Sequence, residues 1–489
     1  MAVEDKYRII KDRRHEKIKA KEEIWTLMEQ SYVGGLEYIR GNNLFEYPRE
    51  SKASYKIRLK RSVYLNHYKE LIDTLAGFIF ANPITRDIPT KLQPLTDRIS
   101  KGSSMDSFMS NAATQCLQFT IGILVDSPVF DTDIVKTLAD QKALGLQPYA
   151  CIYYPKQIRD FETDDNGELL WILLDNSHCD KTDPFSKPVE NKIYRLWTRE
   201  NFYDFAIDKE VTLINQFNHN LGIVPFKFLN SRDQNQDLIG ESSFEDIAII
   251  ERKIYNDLSL MDETLFSGTF KVLFYGCDKP KDLKDEIPNA IGNLSVIGYP
   301  KDANMPDFRG PGVESIDAFL NSIKFFIQQM FSNVGMDKDM EKLYPQSGKA
   351  KDIEFEKCEA LLRSTANQLE EMEEFIYETC ALWMGEPIEI KIEYQKKFSY
   401  EDIDTALTRL YQAMTLPLEA IKKEALKQIV GKTFQGMDSK QYKDLLKQVT
   451  SEMEKTTPVD TTNLANQESQ NRKQTNAQEA IKGQNDVSN

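Results

Sequence analysis

Residues 242–265 read SSFEDIAIIERKIYNDLSLMDETL, and residues 313–334 read VESIDAFLNSIKFFIQQMFSNV. In the first, Phe244, Ile247, Ile250, Ile254, Leu258, Met261 and Leu265 recur at three- and four-residue steps. In the second, Val313, Ile316, Leu320, Ile323, Ile327, Met330 and Val334 do the same. That spacing puts each set on one face of a helix, so both stretches are expected to be long amphipathic helices. Ser242-x-x-Glu245 supplies a capping box for the first, with acids in its first turn to suit the helix dipole. Between the helices, residues 269–312 hold a strand-like run from Phe270 to Tyr275, then five prolines or glycines within residues 299–312. Helix out, β-containing tip, helix back: the order predicts a stalk carrying a contact module.

Upstream, residues 11–32 form a charge-dense helical pattern broken by Gly34-Gly35. Residues 55–80 read as a helix pair stopped at Asn82-Pro83, and residues 103–118 as a further helix feeding a strand at 121–125. From Pro148 to Phe228 the period shifts toward two. Strands are expected at 149–154, 169–174, 193–198, 202–207, 211–215 and 225–228, with Asp165-Asn166-Gly167 as a hairpin turn. Downstream, residues 337–351 are polar and proline-interrupted, residues 352–384 carry a three–four apolar stripe, and residues 389–394 read as a strand. Residues 399–455 give three short helices, and the Thr-, Asn-, Gln- and Ser-rich tail is expected to be disordered. The fold class is α+β, mainly α, spread over several domains, as a chain of 489 residues requires.

The net charge of −15 argues against an ordinary DNA-gripping surface, though not against a surface that lets nucleic acid slide past. The longest apolar run, near 71–80, carries Asp73 and stops at Asn82-Pro83, so no membrane span or membrane partner is expected. The first six residues lack a leader's apolar core, which predicts synthesis in the cytoplasm. Six scattered cysteines with no Cys-x-x-Cys pair read as reduced thiols, with no metal site.

Catalytic patterns fail one by one. Gly431-Lys432-Thr433 has Leu426 where a P-loop needs its first glycine. Ser347-Gly348-Lys349-Ala350 has Leu343 there and Ala350 in place of the hydroxyl. Histidines 15, 67, 178 and 219 stand near no nucleophile in sequence, and Glu370-Glu371-x-Glu373-Glu374 reads as a solvated surface. No catalytic residue, cofactor or metal is expected.

The order of these parts resembles the portal proteins of tailed double-stranded DNA bacteriophages. Particular residues carry the likeness: Tyr32-x-Gly34-Gly35-x-x-Tyr38-Ile39, then Tyr55, Arg58, Arg61 and Asn66. Gly77-Phe78-Ile79-Phe80-Ala81-Asn82-Pro83, Gln147-Pro148-Tyr149 and Gly222-Ile223-Val224-Pro225-Phe226 follow in order. The resemblance implies a non-enzymatic ring, typically of twelve subunits, at one capsid vertex of the virion, assembled in the host cytoplasm. Residues 1–240 would be the wing, 241–268 and 313–336 the stem helices, 269–312 the clip and 337–351 the tunnel loop. Residues 352–398 would return to the wing, 399–455 would form the crown, and 456–489 the tail. Double-stranded DNA would pass through the channel without sequence preference during packaging and ejection. The implied protein partners are the terminase large subunit, a head–tail connector or adaptor, and the major capsid and scaffolding proteins.

On the second stem helix, Glu314, Asp317, Asn321, Lys324, Gln328 and Ser332 form a polar stripe beside the apolar one; in a ring it would face the lumen. An acidic lumen overall would keep DNA mobile, while Lys338, Lys342, Lys349 and Lys351 in the tunnel loop would touch phosphates individually. Asp278, Lys279, Lys281, Asp302, Asp307 and Arg309 mark the clip's docking region. Two alternatives stay open: another phage head component, such as an adaptor or minor capsid protein, and a packaging ATPase.

Overall fold

A computed structural model describes residues 7–128 apart from 49, 147–269 apart from 234–236, 272–277, 295–300, 302, 315–336, 348–385 and 389–398, with a few positions between 441 and 451. It divides into two compact units, residues 1–400 and 401–489. In the second unit the described residues are helical; the expected crown helices at 399–440 and the tail at 456–489 lie outside the described residues.

The first unit opens with short α1 (Arg8–Asp12) and then α2 (Glu16–Val33). The glycine pair ends α2 as expected, but the chain restarts at once as α3 (Gly35–Arg40). Gly34 has φ of 68°, and a Cβ there would lie 2.4 Å from Asn66 Nδ2, so only glycine fits. The expected helix pair appears as α4 (Lys52–Arg61) and α5 (His67–Ile79), capped by Ser51 and Asn66 side chains that accept from the Ser54 and Lys69 amides. Ser104 caps α6 (Met105–Gln118) in the same way.

Two antiparallel sheets follow. In the smaller, β2 (Ile121–Asp126) lies between β3 (Tyr149–Tyr153) and β11 (Phe226–Leu229), and all six of its residues are buried. The larger runs in the order β10 (Val211–Asn218), β9 (Asn201–Ile207), β8 (Ile193–Thr198), β5 (Leu169–Asp175), β4 (Ile158–Thr163). Along β5, Ile172 and Leu174 enter the main core, whereas Leu173 joins Ile10, Tyr194, Phe205, Ile207 and Val211 on the opposite face. Asp165–Gly167 turns β4 into β5: the Asp164 carboxylate accepts from the Asn166 and Glu168 amides, both at 3.0 Å, and Gly167 has φ of 84°. Strand β4 was not expected; its Arg-Asp-Phe-Glu-Thr run is too polar to advertise a strand. The same holds for the exposed hairpin of β6 (His178–Asp180) and β7 (Val189–Asn191).

A single core joins these parts to α7 (Phe244–Thr269), α8 (Ser315–Asn333) and the 37-residue α9 (Gly348–Met384). Helix α9 starts four residues before the expected position 352, so Lys349 and Lys351 sit on helical backbone rather than in a loop. Trp383 Nε1 donates to the Val125 carbonyl at 3.0 Å, tying the end of α9 to β2.

Beyond it, β14 (Lys391–Glu393) pairs antiparallel with β1 (Thr85–Asp87), Arg86 opposite Ile392. There the reading of Glu370, Glu371, Glu373 and Glu374 as a solvated surface needs correction. Glu373 is fully buried and makes a two-pronged ion pair with Arg86. Arg86 also meets Asp106 at 2.6 Å, and the Tyr394 hydroxyl donates to Glu373 at 2.6 Å. The run of acids falls around several helix faces, and one of those faces is the core. The cysteines whose surroundings are described, 116, 151, 179, 358 and 380, are free thiols.

Truncating Arg86 would strand Glu373 without its counter-charge, a loss of about 3–5 kcal/mol. Arg86→Ala is expected to lower the urea midpoint by a corresponding amount; an unchanged midpoint would show that the pair adds nothing.

Candidate functional site

The stalk is the candidate site, and burial along its two helices shows how it is mounted. On α7, Phe244, Ile247, Ala248, Ile254 and Tyr255 are buried, but by Leu265 and Phe266 the apolar side chains are 42% and 48% exposed. On α8 the gradient runs the other way along the chain. Leu320 and Phe325 are exposed, whereas Ile323, Ile327, Met330, Phe331 and Val334 are buried. The helices pack on each other, and their core-side ends are those farthest in sequence from the intervening strands. At about 1.5 Å per residue, the 26 residues of α7 span about 39 Å. The pair is therefore rooted in the core and sheds its cover toward the tip.

At the tip, β12 (Val272–Cys277) follows α7 directly and pairs with β13 (Ser295–Pro300). The pairing is parallel, Val272 opposite Ser295. Parallel neighbours need a crossover connection, so this is not a simple hairpin. The strand covers Val272–Tyr275 of the expected run, whose first two residues, Phe270 and Lys271, lie outside the described residues.

The root is clamped. Arg58 on α4 is 2% exposed. Its Nε and Nη2 donate to Glu50 at 2.9 and 2.7 Å, Nη2 donates to the Phe45 carbonyl at 2.6 Å, and Nη1 donates to Ser259 Oγ of α7 at 3.3 Å. The guanidinium stacks 3.9 Å from the Tyr47 ring centroid. One turn along α7, Asn256 accepts from the Phe45 amide at 2.8 Å and donates to the Asn43 carbonyl at 3.0 Å. Tyr255 shares a 2.8 Å hydrogen bond with Ser62 and meets the stacked Tyr38–Tyr64 pair edge-on. Farther out, Arg61 pairs with Asp262 and Glu263 and lies over Phe266. Residues 43–62 thus grip one flank of α7 over about three turns.

Glu251 adds a buried charge to this root. It accepts from the His67 amide at 3.2 Å, and its second oxygen lies 3.5 Å from His67 Nδ1. Burial pushes its carboxyl above the ordinary range, and His67 only partly opposes that. The capping box is half formed. Glu245 accepts from the Ser242 amide, but the Ser242 hydroxyl donates to the Leu117 carbonyl and accepts from Phe244 rather than Glu245. Glu245 also pairs with Lys21 at 2.6 Å.

Of the residues expected to line a channel, Asp317, Asn321, Lys324, Gln328 and Ser332 are all exposed on α8; Glu314 lies outside the described residues. Lys338 and Lys342 lie outside them too, as do Asp278, Lys279, Lys281, Asp307 and Arg309, while Asp302 is exposed in a turn. After α8, Gly335, with φ of 74°, lies against the α9 backbone: a Cβ there would meet Cys358 N at 2.6 Å. The two helices therefore meet at that point, with residues 336–357 between. Sequence spacing did not reveal the roles of Tyr255, Asn256, Ser259 and Glu251. Polar residues on an otherwise apolar flank were the available signal. Among the described residues, no group of His, Cys, Asp or Glu side chains is placed to hold a metal, and no helix is long and apolar enough to cross a membrane.

No protein-family model matches the chain, and no curated protein matches it either. Solved structures with some likeness include the virion of a native gene transfer agent particle, with 11% identity and a TM-score of 0.34, covering 78% of this chain and 89% of that one. The neck of the native particle with C12 symmetry has 11% identity and a TM-score of 0.35, with the same coverages. The neck of an empty particle with C6 symmetry covers 86% of this chain and 92% of that one, at 11% identity and a TM-score of 0.34. Scores of this size leave function to be read from the chain's own residues.

Two measurements check the root. Because the folded state holds Glu251's proton to higher pH than the unfolded chain does, stability should fall as pH rises from the ordinary carboxylate value through the raised one. Glu251→Gln should remove that part of the fall, read as urea midpoints from about pH 4 to 8; identical profiles would contradict the assignment. Arg58→Lys keeps the charge but not the fork. It should cost about 1.5–3 kcal/mol and speed amide exchange at residues 255–263 more than in α2.

Proposed function

We propose that the chain is a portal-type subunit: one stave of a homo-oligomeric ring at a capsid vertex, through which double-stranded DNA is packaged and ejected. The observation that carries this reading is the mounting of the stalk. Helices α7 and α8 are inserted between two stretches of chain that fold together, are clamped at the root by Arg58 and Asn256, and lose burial toward the tip. Leu265, Phe266, Leu320 and Phe325 are then left exposed, an arrangement that suits helices completed by neighbouring copies.

On this reading the exposed polar side of α8, with Asp317, Asn321, Lys324, Gln328 and Ser332, faces the channel. Mixed charge and amide groups there offer DNA no strong grip, which fits passage rather than binding. Residues 337–351 approach the DNA, and the segment around β12 and β13 docks the terminase motor and later a head–tail connector. The ring positions other machines and performs no chemistry of its own.

Particle images of purified protein test the ring. Turbine-shaped particles with an axial hole are expected; strictly monomeric protein or open-ended filaments would overturn it. Deleting residues 278–307 should leave the core's melting transition within about 2–4 °C while abolishing terminase docking. Unchanged docking would remove the tip from that role.

A further inference from the structure

Helix α4 buries Arg58 and turns the opposite side to solvent. At about 100° per residue, Lys52, Lys56 and Lys60 fall within about 80° of one another and about 120–160° from Arg58. All three are exposed, no described acid pairs with them, and the helix contains no acidic residue. Ile57 beside them is 57% exposed, and Val63 and Leu65 just beyond are exposed too. This basic and apolar strip belongs to a chain of net charge −15.

Helix α9 carries its counterpart. Glu371, Glu374, Glu378 and Leu382 also fall within about 80°, opposite the buried Leu369, Glu373, Ile376 and Cys380. Glu371 and Glu378 are exposed, Glu374 is half-buried, and Leu382 is 49% exposed. Lys227, 3.8 Å from Glu371, is the described cation that meets this strip. The neighbouring Glu370 is already held by Lys396. The three lysines span about 12 Å of helix and the three glutamates about 10.5 Å, so the charges match in number and nearly in pitch.

We propose that these strips meet between copies: the Lys52–Lys56–Lys60 face of one subunit docks on the Glu371–Glu374–Glu378 face of the next, with Ile57 and Leu382 packed beside them. Two different patches on each chain make a head-to-tail contact, the kind that generates a ring. This rests on the portal-type reading and names the surface by which that ring closes. The apolar side chains beside the lysines favour a protein partner over a polyanion, whose phosphates would have no use for them.

The test uses the full chain and sedimentation velocity. Lys52→Glu, Lys56→Glu and Lys60→Glu together should abolish rings, as should Glu371→Lys, Glu374→Lys and Glu378→Lys together, with thermal melting unchanged for each. Mixing the two variants should restore closed particles, because each reversed face then meets its complement, and so should all six changes in one chain. For the wild type, raising salt from about 0.05 to 0.5 M should raise the concentration needed for assembly at least about tenfold. Wild-type rings that survive either triple reversal, or reversals that neither mixing nor the sixfold variant rescues, would overturn the pairing while leaving the ring intact as a reading. Wild-type protein that never closes would overturn both. If the lysine reversals leave rings unchanged but abolish retention of duplex DNA on a filter, the strip serves nucleic acid and the pairing is wrong.

Discussion

Arg86 and Glu373 stand 287 positions apart, yet they share one buried contact on which the first unit's closure depends. An ion pair taken out of water is costly unless every remaining lone pair and proton finds a partner. Here Asp106 takes a second edge of the guanidinium, Tyr394 caps the carboxylate, and the β1–β14 ladder fixes the backbones beside them. The pair does little for stability compared with a well-packed apolar substitute, but it fixes register. Among the described acids of α9, Glu373 is the one with a buried cation beside it, and that pairing fixes the rotation in which the helix seats. That rotation sends Cys358, Leu361, Leu362, Leu369 and Ile376 into the core and leaves Glu371 and Glu378 in water.

Between β2 and α9 the chain leaves this closed body and returns to it, and β3, β11 and the root of α7 lie in the same core. The stalk in turn needs its own fastening, since two helices leaving a core would otherwise hinge at the exit. Residues 38–64 provide it with the buried Arg58 guanidinium, two backbone positions bridged by the Asn256 amide of α7, and the stacked Tyr38–Tyr64 pair against Tyr255. These are directional contacts, and they fix the angle of α7 where apolar packing alone would allow sliding.

Much of this was legible in the chain. Periodicity located the long helices and most central strands, because amphipathic faces at period 3.6 or two are a direct imprint of one-sided burial. The Asp165-Asn166-Gly167 turn and the Gly34 break were equally plain, each needing a backbone shape that few residues tolerate. What stayed hidden depends on partners far away in sequence. Arg86, Glu251, Glu373 and Asn256 look like surface residues until the chain brings their counterparts to them. Strand β4 was missed because its polar residues are half-buried against other polar groups, leaving no apolar alternation to see. Five of the candidate lining residues are exposed on α8, as the polar side of any such helix is in a single chain.

The meeting of Gly335 with the backbone at Cys358 has a bearing on how this protein can change over evolutionary time. The chain between them, residues 336–357, includes the first ten residues of α9, and the contact is made by the two positions that bracket it. Closing a flexible loop costs entropy that grows only with the logarithm of its length, about 0.6 kcal/mol for each doubling. Segments inserted there can lengthen, shorten or be replaced while α8 and α9 keep their grip, provided the contact point retains its glycine. The connection ahead of α9 is thus a natural place to graft a foreign sequence without disturbing the body that carries it.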